Sequence, residues 1–309
     1  MESLLVFRLK NRMRKIVVLA LLFLLLPIAE MALIDVVSIK TSSIVQANPE
    51  DSHTIRILAN GTIKPDTPNI WTNYSTYVLL GDLKVQAGID EPAIIVERDN
   101  IVFDGNGYKL EGIDSYGSTG ILIWNRKNVI IKNMEITKFY MGIRILDSSE
   151  ISLIGNRITK NHRHGIYLEC SESNLTDNSI IENYIAGNKE GSGIYAIGHE
   201  IYDPVPELLI PKGTRIIGNT IKGNDGGIFM ERSANNNISL NRIDGNYNGV
   251  DLSYVNNTIL TRNSIGGNTY GAVIMTSYDN GIIGNDITEN NNVGIWLAGT
   301  LNISIRKTT

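Results

Sequence analysis

Apolar and polar positions in this chain recur with a period far longer than that of a helix or a single strand. From residue 219 to residue 290 the pattern Asn-x-Ile-x-x-Asn returns every 22 residues, beginning at Asn219, Asn241, Asn263 and Asn285. Two upstream stretches match it, Asn156-Arg-Ile158-Thr-Lys-Asn161 and Asn178-Ser-Ile180-Ile-Glu-Asn183, and Asn133 with Ile136 is a looser copy. An apolar residue stands three positions before each first Asn: Ile130, Leu153, Leu175, Ile216, Ile238, Leu260 and Ile282. A second anchor is a glycine that opens an alternating segment, at Gly120, Gly142, Gly165, Gly193, Gly227, Gly249, Gly271 and Gly294. A fixed period of this size is the mark of stacked repeats.

Alternation after each glycine puts one side chain inward and the next outward, as in a strand. Each repeat holds three short apolar segments separated by Asn and Gly, residues that accept the left-handed conformation of tight turns. No segment sustains a 3.6-residue period, so the chain reads as all-β. Each repeat is one coil of a solenoid, and stacked coils make three parallel sheets around one narrow core. Matched Asn side chains are expected to form ladders from coil to coil. At roughly 4.8 Å per coil, nine or so coils make a rod of about 43 Å.

These repeats, with the lead-in from Pro92 to Tyr108, resemble the NosD-like group of the pectin-lyase-like superfamily over about residues 55 to 305. The resemblance implies a right-handed parallel β-helix. Proteins with such repeats include polysaccharide lyases and hydrolases, sugar epimerases, copper-site maturation factors and non-catalytic surface proteins, so the fold alone assigns no function.

The first 47 residues stand outside the repeat. Arg8, Lys10, Arg12, Arg14 and Lys15 precede the apolar run Ile16 to Leu26, which reads as a secretory signal or, with residues 16–34, as a membrane anchor. Either reading places the repeats outside the cytoplasm, secreted or at the cell surface. The single cysteine, Cys170, excludes an internal disulfide, and the sequons at Asn60, Asn73, Asn174, Asn237, Asn256 and Asn302 allow glycosylation. A net charge of −4 without a basic patch argues against nucleic acid.

Residues 48–91, punctuated by Gly61, Pro65 and Pro68, read as N-terminal cap strands, and residues 92–309 as the coils. Two steps in the glycine series are long. The expected insertions lie near 185–191 and 198–213, on either side of the strand at Gly193, where they would wall the outward face. At the C-terminal end no polar cap is evident, which leaves end-to-end contact with another chain as one reading.

The positions two and four residues after each glycine face outward. They set Tyr167, Tyr195 and Phe229 as an aromatic ladder on three consecutive coils, with Glu169 and Glu231 beside it and Arg144, Asp251 and Arg232 at its margins. Aromatic rows can stack on sugar rings, and carboxylates beside them can act as acid and base or hold a cation such as calcium. The residue types fit a glycan-binding face, with Glu169, Glu231 and Arg144 as the groups for cleavage of a polysaccharide by a lyase or hydrolase. His162 and His164 invite a metal reading, since imidazoles suit copper or zinc and the resemblance brings in copper-site assembly. The third reading is a structural surface protein. Neither an Asp-Asp pair nor an Asp-Pro-His stretch occurs.

Overall fold

Each repeat folds as one coil of three short strands. The computed structural model describes residues 54–173, 175–201 and 207–309. The signal or anchor segment lies outside the described residues. Among these residues the first and second sheets have eleven strands each, the third has eight, and a two-stranded hairpin stands apart. Neighbouring coils pair in parallel, as Ile166–Glu169 does with Ser192–Ile197 and that strand with Gly226–Ala234. The result is an all-β, right-handed parallel solenoid of about ten turns and roughly 23 residues per turn. It exceeds nine coils because residues before Pro92 already supply a strand to each sheet: Ile55–Ile57, Thr76–Leu79 and Leu83–Lys84.

The core is a stack of inward branched side chains. The middle Ile of the repeat fills it from the third sheet at Ile136, Ile158, Ile221, Ile243 and Ile265, all fully buried. Each such side chain contributes about 1.5–3 kcal/mol by leaving water, and every coil adds to one continuous column.

Two Asn ladders close the turns. One runs Asn156, Asn183, Asn219, Asn241, Asn263, Asn285, and the other Asn161, Asn188, Asn224, Asn246, Asn268, Asn290. In the first, the backbone N–H and the Nδ2 of Asn219 both donate to Oδ1 of Asn241 at 2.9 Å, while Nδ2 of Asn241 donates to the carbonyl of Ile216 at 2.8 Å. The second repeats the scheme from Asn224 to Asn246. Such buried amides satisfy backbone groups that water cannot reach.

These ladders correct the register of one repeat. Asn156 donates to Asn183 and Asn161 to Asn188, so the coil motif is Asn183-Tyr-Ile185-Ala-Gly-Asn188. Asn178 instead accepts from the backbone N–H of Ile151. Two copies of the same pattern overlap at Asn183, and the sequence cannot tell which one is stacked. It follows that residues 185–191 are not an insertion. Tyr184–Ala186 is an ordinary third-sheet strand, paired with Arg157–Thr159 and Thr220–Lys222. The added length lies earlier. Leu146 pairs with Glu169, an offset of 23, whereas Ser152 pairs with Ser179, an offset of 27, so the loop after Glu169 gains four residues. Asp147 gathers this loop: its carboxylate accepts from the backbone N–H groups of Ser171, Glu172 and Ser173 at 2.7–3.0 Å.

The anchor glycines also have a different cause from the one their type suggests. None of the eight has a positive φ. A Cβ at Gly120 or Gly142 would stand 2.5 Å from the carbonyl oxygen of the next anchor glycine, and one at Gly227 only 2.2 Å from that of Gly249. Close approach between coils excludes a side chain there. The left-handed turn positions are filled largely by polar residues, among them Asn133, Lys160, Glu182 and Arg232.

Candidate functional site

Parallel register fixes the outward face of the first sheet. Arg144, Tyr167, Tyr195, Phe229 and Asp251 stand side by side on five consecutive strands, and Leu146, Glu169, Ile197, Glu231 and Ser253 form the next row. The rings of Tyr167 and Tyr195 lie 5.5 Å apart at 15°, and those of Tyr195 and Phe229 lie 4.8 Å apart at 9°. Near-parallel rings at these separations are offset, so each leaves part of a face and one edge uncovered. The guanidinium of Arg144 stands 5.7 Å from the Tyr167 ring centre.

Charged groups are paired along this floor. Arg144 Nη2 donates to Glu169 Oε2 at 3.1 Å, and His199 Nε2 lies 3.2 Å from Glu169 Oε1. Glu231 pairs with Arg232, whose guanidinium also reaches Glu200 at 3.9 Å and lies over the Tyr254 ring. Burial raises the Glu169 carboxyl, but the hydrogen bond from His199 and the charge and hydrogen bond of Arg144 outweigh it and hold Glu169 below its ordinary range. His199 is raised, chiefly by its hydrogen bond to Glu169. Burial, then the charge on Glu169, pushes the Tyr167 hydroxyl up; burial, then Glu231, does the same to Tyr195.

His199 is the residue the sequence reading passed over. It begins the hairpin of His199–Ile201 and Glu207–Leu209, inside the expected 198–213 insertion. A lone His in an irregular segment carries no periodic signal, and its partner Glu169 lies 30 positions away. The walls differ from expectation too. The Ser171–Ser173 loop and the hairpin leave the ends of consecutive first-sheet strands, so both stand on one side. The opposite rim is formed by short turns carrying His162, Glu190 and Asp225.

The His199–Glu169 pair predicts a pH response. His199 is raised above 6.5, so its contribution to holding the hairpin is complete below that value and is lost as pH rises through the raised one. Glu169 is lowered from 4.5, so its contribution is complete above that value and is lost as pH falls through the lowered one. Amide-exchange protection of residues 199–201 and 207–209 is therefore expected to be greatest between these limits. The His199→Gln variant flattens the alkaline limb; an unchanged limb contradicts the pairing.

Asp251 is not at an open margin. It is 5% exposed, held by Asn248 Nδ2 at 2.9 Å and by Ser253 Oγ at 3.3 Å, and burial raises its carboxyl. Because an outward strand position is still covered when its neighbours are large, alternation alone overstates its access. His162 and His164 have separate partners. His162 stacks on Tyr140 at 5.6 Å and pairs with Glu190 at 3.1 Å. His164 is buried, stacked on Tyr167 and tilted against Tyr195, with Nδ1 accepting from the Ser192 N–H at 3.0 Å. Burial and the nearby Arg163 charge push it down to about 3, so the ring is neutral and its proton sits on Nε2. Among the described residues no group of three or more His, Cys, Asp or Glu could hold a metal ion.

Comparison with known proteins agrees with this geometry. The family described as "Right handed beta helix region" matches residues 70–203, and "Periplasmic copper-binding protein (NosD)" matches residues 207–308. The periplasmic alginate epimerase AlgG is similar in structure, with 13% identity, a TM-score of 0.51, and coverage of 80% of this chain and 81% of that one. The A-module of the Azotobacter vinelandii mannuronan C-5 epimerase AlgE6 gives 16% identity and a TM-score of 0.50, covering 76% and 80%. At these identities the likeness shows the fold. No curated protein matches the chain. The class is therefore the right-handed parallel β-helix repeat protein, and within it the chain is NosD-like.

Proposed function

We propose that this protein binds polysaccharide outside the cytoplasm, on the outward face of its first sheet. The observation that carries the reading is the offset stack of Tyr167, Tyr195 and Phe229, beside the paired groups Arg144–Glu169–His199 and Glu231–Arg232. Partly uncovered rings accept the C–H face of a sugar, and charged donors and acceptors in a fixed row take its hydroxyl or carboxylate groups. An extracytoplasmic location is supported by the periplasmic description of the NosD family and by the apolar segment near the N-terminus. Glu169, Glu231 and Arg144 are the groups proposed for any cleavage. Titration of the full chain with neutral and acidic polysaccharides, with and without calcium, is expected to give saturable binding, and product analysis of the same mixtures reports turnover. A folded chain that binds none of them contradicts the reading.

The match to the NosD family over residues 207–308 favours a second reading, an accessory role in copper-site maturation. It requires copper binding that His162→Ala or His164→Ala abolishes.

A further inference from the structure

The central ladder is one part of a longer aromatic row. Tyr116 lies 4.7 Å from Tyr140 at 47°, and Tyr140 lies 5.6 Å from His162. At the other end Tyr247 meets Tyr270 at 5.6 Å and 70°, and Tyr270 meets Trp296 at 5.7 Å and 43°. Tyr116, Tyr140, His162, Tyr247 and Tyr270 sit at or just before the starts of their first-sheet strands. The backbone connects the later part of this rim: Glu190 N–H bonds to His162, Tyr247 N–H to Asp225, and Tyr270 N–H to Tyr247. Thus eight consecutive first-sheet strands, from Thr119–Trp124 to Val293–Ala298, each carry at least one ring on or beside them. In the middle, where the rim is acidic at Glu190 and Asp225, the rings move onto the floor as Tyr195 and Phe229.

The ends differ from the centre in a way that matters for a ligand. Tyr195 and its neighbours cover one another and are only partly exposed. Tyr116 is 67% exposed, Tyr247 55% and Trp296 46%, and their tilted or edge-on contacts leave ring faces open. The centre supplies charged groups and the ends supply free stacking faces.

We infer that Tyr116 with Tyr140, and Tyr247 with Tyr270 and Trp296, are two outlying sugar subsites, and that the ligand is an extended polysaccharide lying along the solenoid axis across all eight strands, a span of about 34 Å. This rests on the polysaccharide reading of the central face. One ring per coil suits a polymer with a short regular repeat, and the acidic and amide groups between the rings (Glu190, Asp225, Asn248) suit hydroxyls rather than lipid tails or a hydrophobic peptide.

The test uses the full chain and homologous neutral and uronate oligosaccharides, from disaccharides to chains of about eight units or more. Affinity is expected to rise with length until the ends are reached. The double variant Tyr116→Ala/Tyr247→Ala removes exposed side chains and is expected to fold normally. It lowers affinity for long chains by about tenfold or more and leaves short-chain affinity unchanged. Affinity that levels off at short chains, or long-chain binding untouched by the double variant, overturns the inference and leaves the central site standing. If wild type binds no chain of any length, the central reading fails and this one fails with it.

Discussion

Gly227→Ala is expected to destabilise the protein by about 3 kcal/mol, a large effect for a single methyl group. The new Cβ would stand 2.2 Å from the Gly249 carbonyl oxygen, 2.8 Å from Ile243 Cγ2 and 3.2 Å from Asn246 Nδ2. The first contact is with the backbone of the next coil, which cannot rotate aside, and the other two are with the core column and an Asn ladder. Relief requires the coils at Gly226–Ala234 and Asn248–Asn256 to separate, which weakens their parallel pairing. Gly223→Ala is the matched control. Gly223 has φ +60° and no atom within 4 Å of a new Cβ, so its cost is that of the left-handed backbone alone, on the order of 1 kcal/mol. Denaturant unfolding of both variants measures the difference. If Gly223→Ala proved the more costly, the anchor glycines would owe their place to turn conformation instead of coil approach.

The period made the fold legible because every coil repeats the same solution. One Ile per strand, one Asn per turn and one Gly per approach return at a nearly constant interval, and a solenoid is the only way to satisfy them all. The same redundancy misled the reading at residues 178–190. There the Asn-x-Ile-x-x-Asn pattern fits twice, and only the stacking of Asn183 on Asn156 and Asn219 decides between the copies. The floor of the site was legible by alternation, which put Tyr167, Tyr195 and Phe229 on one row. Its electrostatics were not, because His199 and Glu200 reach Glu169 and Arg232 from a hairpin that obeys no period. The burial of Asp251 was hidden for a related reason, since access depends on neighbouring coils and not on the strand itself.

Tyr195→Ala is expected to lower polysaccharide affinity by about tenfold to a hundredfold while the solenoid stays folded. Tyr195 is the middle ring, in contact with Tyr167, Phe229 and His164, and its removal interrupts the stack at its centre. Each lost aromatic pair costs about 0.5–1.5 kcal/mol of stability. That loss is spread over a rod whose coils on either side keep their own pairing. Tyr195→Phe separates ring from hydroxyl. It keeps the stack, and it is expected to keep most of the affinity if the ring face is what the sugar meets.

The most direct measurement is calorimetric titration of a polysaccharide that the wild-type chain binds into wild type, Tyr195→Ala and Tyr195→Phe, with circular dichroism showing that all three are folded. Loss of binding in Tyr195→Ala, with retention in Tyr195→Phe, is the predicted result. Equal affinity for all three proteins would contradict it and remove the aromatic face of the first sheet from the account of what this protein binds.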